Sequence, residues 1–213
     1  MSYREGARRI WPIAVAAFAF GVSFGLLART AGLGPLAPIV MSLTTFAGSA
    51  QFAAASILGE HGGAAAAVAA AVLLNARYGP IGISVAPGFR GGRLRRLFES
   101  QLVVDESWAV SIGRGAFDLR VLLGAGLVLY AAWNGGTALG VFGGGFLGDP
   151  ARLGLDAAFP ALFLALLVPQ LGSTRARSAA VIAAVIAFVL IPFVPPGVPI
   201  VAASAACLLG LPR

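Results

Sequence analysis

Residues 37–58 read APIVMSLTTFAGSAQFAAASIL, an apolar block in which Ser42, Thr44, Thr45, Gly48, Ser49 and Gln51 crowd together. How this block sits decides the fold. It is long enough to cross a bilayer, since roughly 20 residues at 1.5 Å rise span a hydrocarbon core of about 30 Å. Yet GLGP (32–35) and GEHGG (59–63) bound it with turn-forming residues. Irregular backbone is tolerated at membrane depth only where it faces protein or a wet cavity. The block therefore reads as re-entrant, or as a pair of half-helices.

The remaining chain sets the context. Its 213 residues are 59% hydrophobic and only 11% charged, with a mean hydropathy of +0.91; a soluble domain carries about 25% charged residues. Further apolar blocks lie near 11–30, 64–86, 119–147, 157–171, 178–194 and 198–211. They do not alternate polar with apolar, which argues against a β-barrel. The expected fold is all-α, a polytopic integral membrane protein forming one domain over 1–213. The single cysteine, Cys207, excludes an internal disulfide and a multi-cysteine metal site. Neither a metal nor a cofactor is expected. Nor is a cleavable signal peptide, because the block after MSYREGARRIW is long and lacks a small-residue cleavage site.

Net charge is +7, and all fifteen basic residues are arginine. They cluster between the apolar blocks, so they read as topology signals and not as a nucleic-acid footprint. Arg4, Arg8 and Arg9 precede the first block and place the N-terminus in the cytoplasm. Arg90, Arg93, Arg95 and Arg96 in FRGGRLRR, Arg175 and Arg177 in STRAR, and Arg213 belong on the same side. Three full crossings before residue 90 would put FRGGRLRR outside. Making 37–58 the segment that does not cross repairs the parity. Residues 98–113, FESQLVVDESWAVSIG, are too polar for a plain span and read as a second partial segment. The expectation is about six full crossings plus one or two broken segments, with both termini inside. GVSFG (21–25) and GTALG (136–140) share a small-x-x-x-small frame, and SLTTF (42–46) echoes LDAAF (155–159). These echoes suggest repeat halves of about 11–96 and 119–195, as secondary transporters often have.

Polar residues inside the blocks admit two readings each. Ser42, Ser49 and Gln51 beside Gly48 suit a zwitterion or a hydrated ion, but such groups also bond between helices for about 0.6 kcal/mol each. In LLNARYGP (73–80), Asn75, Arg77 and Pro80 interrupt an alanine-rich span. An arginine near the bilayer centre normally pairs or lines a cavity; alternatively it snorkels to the surface. Pro80 is expected to free the carbonyl of Ala76. In VVDESW (103–108), Asp105 and Glu106 point about 100° apart on a helix, so one could face Arg77 or a proton path. The alternative is an interfacial loop with two solvated acids. Asp156 reads as a helix N-cap. GVSFG fits a nucleophile-elbow pattern, but it lies in an apolar helix and the only histidine, His61, sits in a glycine-rich turn. GVFGGGFLG (140–148) lacks the Lys-Ser/Thr of a phosphate loop. No enzyme activity is expected.

Taken in order, GVSFGLLA, TTFAGSAQFAAASIL, LLNARYGPIGISVAP, VVDESWAV and LDAAFPALFLALLVPQL resemble the AzlC family, the large subunits of two-component branched-chain amino acid exporters. The likeness runs from about residue 12 to 195. It implies export of leucine, isoleucine, valine and their analogues across a bacterial inner membrane, with a small hydrophobic partner of the AzlD type. With no ATP-binding motif, an ion gradient would drive it. On this reading Ser42, Phe46, Gly48, Ser49, Gln51, Phe52, Asn75 and Arg77 bind substrate. Asp105 or Glu106 couples the ion. Two other readings are a membrane assembly subunit whose partner forms the path, and a small-solute channel.

Overall fold

In a computed structural model, described for residues 2–113, 116–147, 164, 167–168, 171–194 and 198–206, the chain is helical apart from one two-residue strand pair. The helices are α1 (Tyr3–Thr30), α2 (Leu36–Thr44), α3 (Gly48–Gly59), α4 (Ala64–Asn75), α5 (Tyr78–Val85), α6 (Arg93–Ser100), α7 (Asp105–Ser111), α8 (Leu119–Leu147), α9 (Thr174–Leu190) and α10 (Val198–Ser204). A 3-10 turn, Ala86–Gly88, follows α5, and β1 (Ile112–Gly113) pairs antiparallel with β2 (Ala116–Phe117) between α7 and α8.

Helices α1 and α8 form the spine, and they run parallel. Gly6 packs on Val121, Gly21 on Trp133, and Gly25 on Thr137 and Val141, so residue numbers rise together. Glycines make this approach possible from both sides. A Cβ on Gly21 or Gly25 would stand 2.5 Å from the carbonyl oxygen of Trp133 or Thr137. A Cβ on Gly136 or Gly140 would overlap the carbonyl oxygens of Phe18 and Val22. GVSFG and GTALG thus meet face to face, the small-residue contact that lets helices associate without a hydrophobic driving force. Both helices are long and apolar enough to cross a membrane.

Asp118 starts the second of them. Its Oδ1 accepts hydrogen bonds from the N–H groups of Arg120 (2.9 Å) and Val121 (3.1 Å), which satisfies two donors that a helix start otherwise leaves bare. Asp118→Ala is expected to lower stability by about 1 kcal/mol, readable as an earlier thermal transition in detergent, while Asp118→Asn keeps most of it.

Between the two long helices the chain makes two hairpins that reach only part-way. Helix α2 runs down α8: Ser42 bonds Thr137 and Trp133, and the carbonyl of Leu43 meets the Tyr130 hydroxyl. The chain then turns at Thr45–Ala47, with Phe46 at φ 42°. Helix α3 climbs back beside α1, placing Phe52 on Phe24 and Gly59 on Ala31. Both ends of this hairpin lie at the C-terminal end of α1, as the re-entrant reading of 37–58 expects. Helix α4 descends against α3, packing Ala67 and Ala70 on Ala54 and Ile57. After a 46° bend at residues 76–77, α5 continues to the opposite end. There Val85 packs on Leu122 and Leu123, and Gly88 on Phe117. The bent pair therefore crosses the bundle as one broken span.

The second hairpin enters from that opposite end. Helix α6 rises along α5, and Gln101 at its top donates to the carbonyl oxygens of Thr44 (2.8 Å) and Leu43 (3.5 Å) at the tip of the first hairpin. Helix α7 then descends, so that the carbonyl of Ser111 accepts the N–H of Asp118. The part-way reading of 98–113 matches α7 and the end of α6. FRGGRLRR consequently lies at the same end as Arg4, Arg8 and Arg9, the parity that the arginines require.

Two expectations need adjustment. Among the described residues two helices, or three with the bent α4–α5 pair, meet the requirements for crossing a membrane, so the structure accounts for up to three of the about six crossings expected. The Ala76 carbonyl is also not freed by Pro80. It accepts the N–H of Gly79 at 3.0 Å, a tightening of the last turn that satisfies the orphan oxygen. Asp156, the LDAAF echo and Cys207 lie outside the described residues.

Candidate functional site

Where the two hairpin tips and the α4–α5 break converge on the spine, the bundle leaves a cavity of about 140 Å³. The break contributes Arg77 and Tyr78, the first hairpin Phe46, Gly48 and Ser49, and the second Val104 and Glu106. Helix α1 supplies Ile13, Ala16, Ala17 and Phe20, and α8 supplies Leu129 and Trp133. One side of the cavity is thus ionic and the rest is aliphatic and aromatic.

Arg77 organises the ionic side. Its Nη2 donates to Ser49 Oγ at 3.0 Å, and its Nε lies 3.2 Å from Asp105 Oδ2, an ion-pair contact without hydrogen-bond alignment. The guanidinium also stands over the Tyr78 ring, 5.3 Å from its centroid, within reach of a cation–π attraction. A guanidinium has five donors, so several stay available to a ligand. Helix α3 adds to the positive character. No side chain caps its first turn at Ala47, and helix N-termini favour anions. At the other half of the same tip, the closing carbonyls of α2 are already taken by Gln101 and Tyr130. The carboxylates of Asp105 and Glu106 sit across the arginine, so the cavity presents both signs of charge within one small volume.

Of the residues expected to bind substrate, the structure brings Phe46, Gly48, Ser49 and Arg77 to the cavity. It places Ser42, Gln51 and Phe52 elsewhere. Gln51, buried to 1% exposure, accepts the Ala47 N–H at Oε1 (3.1 Å) and donates from Nε2 to Ser42 Oγ (3.1 Å). Ser42 is also bonded to Thr137 Oγ1 at 2.8 Å and Trp133 Nε1 at 3.1 Å. This network ties α2 and α3 to α8 and holds the tip closed, the interhelical reading of those polar groups. Phe52 packs in an aromatic trio with Phe24 (5.7 Å between centroids) and Trp133 (6.1 Å). Asn75 lies just before the break, with a buried Oδ1 that has no hydrogen-bond partner among the described residues. Gln51→Ala would leave the Ala47 N–H without its acceptor, a cost of about 1–3 kcal/mol. The expected result is reduced accumulation and thermal stability, with an unchanged KM in the protein that survives.

Sequence reasoning did not find the walls. Ile13, Ala16, Ala17, Phe20, Leu129 and Trp133 are ordinary apolar residues of long helices, and nothing in their spacing sets them apart from the positions that face lipid or core. Thr137 could have been suspected as a hydroxyl inside a glycine-rich span.

Comparison with known proteins places the chain. The family described as AzlC protein matches residues 12–147, well over half of the sequence. The chain belongs to the AzlC family. A membrane protein of Archaeoglobus fulgidus is 35% identical over 180 residues, 83% of this chain and 80% of the relative. The branched-chain amino acid transport protein AzlC of Bacillus subtilis is 27% identical over 175 residues, 76% of this chain and 67% of its own length. A Helicobacter pylori membrane protein is 23% identical over 154 residues. No solved structure matches the chain. The AzlC match takes in α1 from residue 12 onward, α8, both hairpins and every residue that lines the cavity.

Proposed function

We propose that this AzlC protein is a secondary-active exporter of branched-chain amino acids, and that the cavity at Arg77 holds the substrate. The observation that carries this reading is the pairing of a guanidinium with a small apolar chamber at a broken helix. Transporters place substrates near the midplane where discontinuous helices present their termini. Here Arg77, Ser49 and the first turn of α3 would take the carboxylate. Glu106 or Asp105 would take the ammonium group. Phe20, Phe46, Leu129 and Trp133 would enclose the side chain. A hydrophobic pocket separates aliphatic side chains by only about 1–3 kcal/mol per methylene, so leucine, isoleucine and valine should all be accepted.

Coupling follows from the same charges. Asp105 pairs with Arg77 when the cavity holds no substrate carboxylate. A bound carboxylate competes for the guanidinium and loosens that pair, so whichever of Asp105 and Glu106 does not hold the ammonium group is free to carry the coupled ion. The membrane arrangement proposed is about six crossings in a bacterial inner membrane, with the arginine-rich end in the cytoplasm and a small AzlD-type hydrophobic subunit alongside. The protein would act as a transporter and not as an enzyme.

Purified protein in vesicles, with and without the small subunit, tests this directly. Labelled leucine should exchange across the membrane and respond to an imposed pH gradient, and isoleucine and valine should compete. No leucine movement under any gradient, with the subunit present and both proteins folded, would overturn the proposal. Movement only when the subunit is present would assign the path to the pair.

A further inference from the structure

Tyr78 lines two separate spaces. One is the central cavity. The other is a groove of about 560 Å³ between α5 and α6, lined among others by Gly82, Val85, Phe89, Arg93, Arg96 and Leu97. No other described residue lines both. We propose that the groove is an outer compartment of the substrate route, that Arg93 and Arg96 hold an amino acid carboxylate there, and that the Tyr78 ring is the barrier between the compartments. This rests on the reading of the cavity as an amino acid site.

The charges in the groove are selective in their placement. Topology alone would be served by arginines anywhere at this end of the bundle. On α6, however, a spacing of three puts Arg93 and Arg96 on one face, with Leu97 and Ser100 continuing it toward Tyr78. Among the described residues neither guanidinium has a hydrogen bond or ion pair, whereas Arg95 turns away to Glu99 at 2.8 Å. Two unpaired guanidinium groups on a groove whose other lining residues are mostly apolar attract a carboxylate and leave room for an aliphatic side chain.

The barrier is built to move. Tyr78 follows directly on the 46° bend. A Cβ at Gly79 or Gly82 would meet nothing within 4 Å, so there is open space beside the backbone at both glycines that flank Pro80. Arg77 holds the ring through its guanidinium face. A carboxylate that draws that guanidinium into the cavity removes the hold, which links arrival of substrate to the position of the ring. The groove opens at the end that carries Arg4, Arg8 and Arg9, so passage past Tyr78 would be loading from that side.

Cysteine labelling of the full chain in inside-out membrane vesicles tests the proposal. With Cys207→Ser as background, Ala17→Cys reports on the cavity and Ser100→Cys on the groove, each read by its rate of reaction with an impermeant methanethiosulfonate. Labelling scales with the population of the open state, so Tyr78→Ala should speed reaction at position 17 about tenfold while Tyr78→Phe does not, and position 100 should react equally in all three. Leucine should slow labelling at position 100, leucinamide should not, and Arg93→Ala with Arg96→Ala should abolish the protection. If Tyr78→Ala does not accumulate, Gly82→Phe, which fills the groove, should slow reaction at position 17. Rates at position 17 indifferent to these changes, or protection by leucinamide equal to that by leucine, would overturn the proposal. If leucine still protects position 17 in that case, the cavity reading stands. If leucine protects neither cysteine, the cavity reading itself fails.

Discussion

Replacing Arg77 with alanine is expected to cut leucine efflux at least tenfold while the protein still reaches the membrane. The guanidinium bonds Ser49 and faces Asp105 at the junction of both hairpin tips and the broken helix, so its removal takes away the main attraction for a carboxylate. Arg77 and Asp105 are each about a third exposed, so the loss is set at the scale of one hydrogen bond to a charged group, about 1.5–3 kcal/mol, which corresponds to roughly 10-fold to 100-fold at 1.4 kcal/mol per decade. Arg77→Lys should fall between. It keeps the charge but loses the planar fork and its stacking on Tyr78. The measurement is initial efflux of labelled leucine from preloaded cells, normalised to the amount of protein in the membrane. Efflux near the wild-type rate in the alanine variant would remove Arg77 from the site.

The second large effect is structural. Gly136→Leu should prevent stable folding, because a Cβ at this position overlaps the Phe18 carbonyl oxygen on the facing helix. Ordinary overpacking costs about 1–3 kcal/mol. Here the obstacle is backbone on a parallel helix held by glycines along the seam, so the spine would have to separate. The neighbouring residue is the control. A Cβ at Gly135 meets only the Phe18 ring, at 3.7 Å and beyond, and Gly135→Ala should be tolerated or stabilising, since alanine is favoured over glycine in a helix by about 1 kcal/mol. Membrane accumulation and the thermal transition in detergent separate the two outcomes. Normal accumulation of Gly136→Leu would contradict the parallel packing of α1 on α8.

These residues also show what the sequence could reveal. The tip of the first hairpin was legible because a bilayer tolerates Gly48 among hydroxyls and an amide only at a break. Its part-way course was legible because the arginines must share a side. GVSFG and GTALG were visible as small-residue frames, but their meeting in register was not, since a frame says nothing about its partner. Gln51 and Ser49 look alike in sequence: polar, buried, two residues apart. One turns into the network around Ser42 and the other faces Arg77, a difference set by which side of a short helix faces α2 and which faces the break. The apolar walls were illegible for a simpler reason. In a chain where nearly every block is Ala, Leu, Val or Phe, lining a cavity and filling a core demand the same side chains.

The central claim is that the chamber around Arg77 holds the amino acid. A photoreactive diazirine analogue of leucine, activated on the reconstituted protein and mapped by mass spectrometry, tests it most directly. The expected adducts fall on the segments that line the cavity, residues 13–20, 46–49, 77–78, 104–106 and 129–133, and excess leucine removes them. Adducts confined to other segments, or adducts that leucine does not displace, would contradict it.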